Sequence, residues 1–483
     1  MPRGVLVNDV RSRLSATRVR EVVTVASREA LAQVVGSARR RGLRVCVAGG
    51  RHSVGGQAFA EDAVLVDTRG LDLVGPLDPA AGTVEVEAGT QWPALIAALG
   101  LVQEGADEPL TIAQRAGGDR RTVGGAVSVN AHGRGLAMRP IVDDVESLTI
   151  VDAGGELRVA SRQSDPELFS LAVGGFGLFG IIVSASLRLR PRRKIERVVS
   201  VERVDDLIDA FSRRIEEGGL YGDFLLDIDE STPDFLRQGV LCAYREVPRP
   251  TPLPSRPRDL LRQDWRGLVE LAHTDRRRAY RRYVDHFLAT AGQVYWSDTP
   301  HLGASLDDDH RYLDRRLRLR VPATEVGGEL HVPRAALPGF LAEAAADLRR
   351  RGVVVIHGTV SLVERDGESF LDWASQPYAC VALDLHTERS RQGLLASAGA
   401  FRSLIDLAIL RGGGYSLAHH RWATRSQVEA AYPRMRPFLS RKAQRDPDGL
   451  LQSEWYRSTA QLFGPSPPPR PTGVAERRVS RYA

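Results

Sequence analysis

The sequence predicts an α+β protein of two domains. Residues 1 to about 192 alternate short β-branched runs with helical stretches and contain three glycine-rich segments. Past Arg190-Pro191 those segments stop, and residues 193–411 mix strands with amphipathic helices, the pattern of a separate mixed-sheet domain. At 483 residues the chain is also longer than one hydrophobic core organises.

Taken in order, Arg28 to Arg41 reads as an amphipathic helix, Arg44-Val45-Cys46-Val47 as a buried strand and Ala63 to Asp67 as a second strand. Between the strands lies Ala48-Gly49-Gly50-Arg51-His52-Ser53, with further glycines at 55 and 56. Glycine permits positive φ and close backbone approach, and successive N–H groups in such a turn form an anion-binding nest. Arg51 adds a fixed positive charge, although a glycine-rich turn also occurs as nothing more than a turn. A helix is expected over Trp92 to Leu99. Thr122 to Gly133 is a second glycine-rich loop containing His132, and Val173 to Val183 is a third, whose glycines enter a β-branched strand. Three such loops in one half of a chain suggest a long ligand laid across many backbone amides. The dinucleotide fingerprint G-x-G-x-x-G between a strand and a helix is absent, as is the G-x-x-x-x-G-K-[ST] phosphate loop.

In the second half, Val247 to Pro254 is an extended proline-rich connection, and Leu268 to Leu288 has helical spacing around an arginine-rich run, Asp275 to Tyr283. That run reads as a solvated helix face; docking to an anionic partner is the alternative. Gly328 to Val332 and Val353 to Val363 read as strands flanking a helix over Arg334 to Arg351, and Pro465 to Pro471 opens a non-helical tail. A net charge of +6 is mild for this length, and no nucleic-acid-binding module is recognisable. No apolar run approaches the roughly 18 residues of a membrane span, and no signal peptide begins the chain, so a cytoplasmic enzyme is expected. Cys46, Cys242 and Cys380 are too few and too scattered for a disulfide framework or a zinc site, so they are read as packing residues and no metal is expected.

With these segments in place, the chain resembles the vanillyl-alcohol-oxidase, or p-cresol methylhydroxylase (PCMH)-type, FAD-linked oxidoreductases. The matching elements are Ala48 to Ser53 with Gln57, the acid-ended strand Val64 to Asp67, Glu87-Ala88-Gly89-Thr90, Thr122 to Gly133, Gly174 to Val183, Tyr432-Pro433 and Asp446-Pro447-Asp448-Gly449. The resemblance implies an FAD-binding domain over 1–192, a substrate (cap) domain over 193–411 and a segment, 412–483, that returns to the FAD domain. It implies FAD contacts from Ala48, Gly49, Gly50, Arg51, His52, Ser53, Gln57, Thr122, Gly124, Gly125, Val127, Ala131, His132, Ile182 and Tyr415. His52 falls where many members attach the flavin covalently, and a neutral imidazole is a competent nucleophile near neutral pH; a non-covalent histidine touching phosphate is the alternative. His132 is read as packing near the ring.

Hydride removal from an alcohol carbon needs a base or polarising group at the hydroxyl, while the flavin supplies the redox chemistry. Strand alternation puts Glu329 and His331 on one face and His357 and Thr359 on one face. These pairs lie where the alditol oxidase branch carries Glu-x-Arg and His-x-Thr; His331 in place of arginine removes a planar bidentate donor. Near Gly412 to Trp422, where relatives carry a lysine or histidine beside the flavin, His419 or His420 is the candidate cation, with Tyr415 as a ring or substrate contact. Tyr415 and Tyr432-Pro433-Arg434 also resemble the decaprenylphosphoryl-ribose oxidase branch, whose lysine is Ala418 here. The expected activity is hydride removal from a carbinol carbon of a sugar, polyol or sugar-like product, with oxygen or another redox acceptor. A dehydrogenase or epimerase half-reaction and a non-catalytic flavin-binding protein are the alternatives.

Overall fold

The computed structural model describes residues 4–115, 118, 120–299 and 310–464; the expected proline-rich tail lies outside them. Three strands, Glu21–Thr24, Val64–Asp67 and Val45–Ala48, form a parallel sheet with Val64–Asp67 at its centre. Parallel strands need a crossover connection, and the helix Arg28–Arg40 carries the chain between the two outer strands. Ser27 caps it by accepting a hydrogen bond from the Ala30 N–H, and Gly42 ends it at φ +63°. Leu31, Val35 and Ala38 bury its inner face against Val45, Val64 and Val66. Each buried Leu or Val contributes about 1.5–3 kcal/mol relative to exposure. The C-terminal segment joins here: Leu451 bridges Val45 in parallel, and the Val45 N–H donates to the Leu450 carbonyl.

An antiparallel sheet of six strands follows, with Ile181–Pro191 between Val145–Val151 and Thr83–Glu87. The largest sheet has eight antiparallel strands in the order Val294–Trp296, Lys194–Arg203, Gln238–Val247, Gly219–Leu226, Val355–Val363, Tyr378–Glu388, Ala323–Pro333 and Gly414–Tyr415. Helices Leu337–Arg351 and Arg391–Ile409 pack together, with Phe340, Leu341, Phe401 and Leu404 fully buried.

Two segments differ from the sequence expectation. Leu268 to Leu288 is not one helix but two, Arg262–Thr274 and Arg276–Ala289, broken at Asp275, whose φ of −155° is extended. The Asp275 side chain accepts from the Arg278 N–H and so starts the second helix. Thr122 to Ser128 is not an open loop: Val123–Ser128 is a short helix capped by Thr122, which accepts from the Gly125 N–H at 3.2 Å. Glycine's poor helix propensity concealed it, but a side chain at Gly124 would collide with Ala88. Among the described residues no helix is long and apolar enough to cross a membrane.

Candidate active site

Three adjoining cavities meet where the glycine-rich segments face the large sheet. The first holds about 1060 Å³ of space and runs along Ala48 to Val54, Gln57, Thr122, Gly124 to Ala126, Ser128, Phe176-Gly177, Ile182 and His419. Five glycines, Gly49, Gly50, Gly124, Gly125 and Gly177, form part of its wall, and two of them have no room for a side chain: a Cβ on Gly49 would strike Thr122, and one on Gly50 would strike the Arg120 carbonyl. Arg51 is held at φ +59°, and its guanidinium donates to Asp67 at 2.9 Å. Burial pushes the Asp67 carboxyl up, but hydrogen bonds from Arg69 and the charges of Arg69 and Arg51 outweigh it and leave the group more acidic than usual. The acid-ended strand is therefore the anchor that orients Arg51. Gln57 bridges distant segments, accepting from the Gly55 N–H and donating to the carbonyls of Leu417 at 2.7 Å and His419 at 3.0 Å.

Of the residues expected to hold the cofactor, Ala48, Gly49, Gly50, Arg51, His52, Ser53, Gln57, Thr122, Gly124, Gly125, Ala131 and Ile182 line this cleft. Val127 does not: it is fully buried in the core, and Ala126, Ser128 and Val129 take the lining positions. Tyr415 is also a correction. It is 3% exposed, meets Tyr432 edge-on, and its carbonyl accepts from the Tyr432 hydroxyl, so it is a core residue. The two adjacent histidines separate cleanly. His420 is sandwiched by Phe401 and Trp422 at 4.3 and 4.8 Å, whereas His419 lines the cleft. Burial lowers His419 to about 4, so it presents a neutral ring rather than the expected cation.

The second cavity, about 1320 Å³, shares Phe176, Ala418 and His419 with the first and is floored by the large sheet. Directly opposed residues in antiparallel strands share a face. Glu329 and Thr359 both register with Ala382, His331 and Ser361 with Cys380, and His357 with Asp384. One sheet face thus carries a row of polar groups where a core would carry apolar ones. His132 reaches it from the second glycine-rich segment. Its Nε2 lies 3.2 Å from Glu329 Oε2 and its Nδ1 2.9 Å from the Gly133 carbonyl, so both nitrogens face acceptors and both donate. Burial opposes the charge, but Glu329 outweighs it and raises His132 well above the ordinary histidine value. Burial likewise pushes Glu329 up, yet the His132 charge and hydrogen bonds from His132 and His331 hold it well below the carboxylate range. His132 is therefore the charged partner of Glu329, not packing. The Cys380 thiol also lies near these groups, but an imidazole donating from both nitrogens has no lone pair for a metal.

His331 is 1% exposed, stacks against Trp373 at 4.4 Å and donates to Glu329 Oε1 at 3.2 Å. It supports Glu329 from behind and lines none of these cavities, which corrects its expected direct role. His357 does face the cavity, its side chain 41% exposed and its Nδ1 3.7 Å from Asp384 Oδ2. Partial desolvation by the cavity walls lowers its pKa despite the Asp384 carboxylate, and this favours the neutral ring at pH 7.

Sequence reasoning missed Arg11, which lines all three cavities and forms an ion pair with Asp384. Asp9 positions it by accepting from the backbone N–H groups of Arg11, Ser12, Arg13 and Ser15, an Asx-type turn that Asn8-Asp9 signals. Asp384 was missed as well; the cross-strand register places it beside His357. The third cavity, about 1280 Å³, lies between the helix pair Arg262–Thr274 and Arg276–Ala289 and the sheet, and also contacts His52 and His357.

The cleft fits an extended flavin dinucleotide: Gly49, Gly50, Gly124, Gly125 and Gly177 leave its wall open to close approach, and a buried His419 Nδ1 is without a hydrogen-bond partner. Residues 19–161 match the family model described as the FAD binding domain. L-gulono-1,4-lactone dehydrogenase of Mycobacterium tuberculosis is 24% identical over 454 residues, 92% of this chain and 96% of that protein. An uncharacterized oxidoreductase in the fasciation locus of Rhodococcoides fascians is 35% identical over 154 residues, 31% of this chain and 32% of that protein. Cytokinin dehydrogenase 2 of Oryza sativa is 32% identical over 230 residues, 44% of this chain and 39% of that protein. Residues 19–161 thus form an FAD-binding domain, and the chain is an FAD-linked oxidoreductase whose relatives are consistent with the PCMH-type family.

Proposed function

We propose that this enzyme removes a hydride from a carbinol carbon of a sugar, polyol or sugar-like substrate. The observation that carries the reading is the polar sheet face of Glu329, His357, Thr359 and Asp384, which borders the same cavity as the flavin-cleft residue His419. The flavin, when bound, supplies the two-electron acceptor. His357 is the base: neutral, cavity-facing, and beside an Asp384 carboxylate that stabilises the charge it gains on taking the hydroxyl proton. Glu329, fixed as a carboxylate by His132 and His331, accepts a hydrogen bond from a substrate hydroxyl and orients it. Gly49, Gly50 and Arg51 hold the pyrophosphate, and Gln57 locks their loop to the His419 segment.

His52 is the covalent tether in this reading, supported by its position on both the cofactor cleft and the neighbouring apolar cavity. Acid-precipitated wild-type protein is expected to stay yellow and His52→Ala to release its colour; a colourless wild-type pellet would rule the tether out.

Oxygen is the proposed electron acceptor. A second reading, a dehydrogenase that passes electrons to another acceptor, is favoured by the dehydrogenase names of the relatives. Turnover with oxygen alone, compared with an added dye, separates them: oxidase turnover is expected to persist without dye, and strict dye dependence would establish the second reading.

A further inference from the structure

The third cavity does not match a compact polyol. The helix pair contributes Trp265, Leu268, Tyr280 and Tyr283 to it, and the sheet contributes Leu225 and Ile356. Trp265 and Tyr283 lie with ring centroids 5.9 Å apart, giving the pocket an aromatic wall. Its continuity with the active site is direct, since His357, Asp384, Arg11 and Arg121 line both this cavity and the polar one. Glu325, His310 and the Tyr280 hydroxyl add polar groups to the chamber away from the shared residues, and against the remaining apolar wall of Leu225, Leu268, Ile356 and Trp265 a sugar would surrender water around its hydroxyls without replacement hydrogen bonds. Protein interiors are close-packed, and a large apolar pocket opening onto catalytic side chains is the usual form of a small-molecule subsite.

We infer that this chamber is a substrate subsite for a bulky aromatic or branched-hydrocarbon group attached to the carbinol that is oxidised. The inference rests on the proposed alcohol oxidation and adds the class of substrate: an alcohol with a hydroxylated or polar end at His357 and an apolar body between the helix pair and the sheet. The arginine-rich helix presents its two sides accordingly. Arg277, Arg278, Arg281 and Arg282 are exposed, while Ala279, Tyr280 and Tyr283 line the chamber.

The test uses the flavin-loaded enzyme and primary alcohols R–CH2OH in which R grows from methyl through butyl and cyclohexyl to naphthyl. Anaerobic flavin bleaching gives kcat/KM for the reductive half-reaction. The ratio is expected to rise about fourfold for each methylene that becomes buried. In Ala279→Phe, which narrows the chamber, the naphthyl-to-methyl ratio is expected to fall at least tenfold. Calorimetry of wild-type holoenzyme with 2-(methoxymethyl)naphthalene, which has no hydroxyl to oxidise, is expected to show binding with a negative heat-capacity change. Bleaching that is indifferent to R, together with no binding of the ether, would overturn the subsite while leaving alcohol oxidation intact. Binding of the ether without bleaching by any alcohol would uphold the apolar site and overturn the proposed reaction.

Discussion

Replacing His357 by glutamine is expected to slow anaerobic flavin reduction by about 10²- to 10⁴-fold, the usual contribution of a positioned general base, with substrate affinity nearly unchanged. Glutamine preserves much of the side chain's size and hydrogen bonding but cannot take a proton. The pH profile supplies an independent check. The pKa of His357 is lowered by partial desolvation, and the competent form is the neutral one. Activity should therefore rise with pH through a value below the usual 6.5 or so and stay flat, as far as this group is concerned, from pH 7 to 9. His357→Gln should lose that acid limb along with the rate. An unchanged reduction rate would remove His357 from the reaction.

Glu329→Gln is expected to be costly in both stability and rate. Glu329 and His132 are 15% and 13% exposed, so the substitution removes one member of a largely buried ion pair. Breaking such a pair typically costs about 3–5 kcal/mol. The cost should depend on pH in a defined direction. His132 is raised in the folded state, so its contribution is complete below its unfolded value of about 6.5 and disappears as pH climbs through the folded one. Glu329 is depressed, so its contribution is present above about 4.3 and disappears as pH falls through its folded value. Denaturant unfolding should therefore show the largest loss between about pH 5 and 6.5, shrinking on the alkaline side. A loss that grows with pH would contradict the charged assignment of His132.

Much of the architecture could be read from local patterns. The strand runs at Val45–Ala48 and Val64–Asp67, the helix Arg28–Arg40 and the strand Val355–Val363 each show their own periodicity and punctuation. Period-two alternation pairs Glu329 with His331 and His357 with Thr359, and the cross-strand register through Ala382 puts both pairs on one sheet face. What alternation could not reveal was depth. His331 and Glu329 share a face, yet one is sealed beneath Trp373 and the other borders the cavity. Tyr415 and Val127 sit in glycine-rich, motif-bearing segments but turn into the core, because side-chain direction there depends on which neighbouring strand or helix lies against them. Arg11 belongs to an irregular arm more than 370 residues from Asp384 in sequence, and no local signal connects the two. The apolar chamber was hidden for a similar reason. Its helix pair read as one basic surface helix, and only the break at Asp275 folds Trp265 and Tyr283 over the sheet.

The central claim, that a base in the polar cavity takes a hydroxyl proton as the carbinol carbon gives up its hydride, is tested most directly by anaerobic bleaching of the holoenzyme with matched pairs of alcohols and their methyl ethers. The ether keeps the carbon skeleton and the C–H bond but has no proton for His357 to take. Bleaching by at least one alcohol and by none of the corresponding ethers is the predicted result. Equal bleaching by an alcohol and its ether, or bleaching only by substrates that lack a hydroxyl, would contradict it.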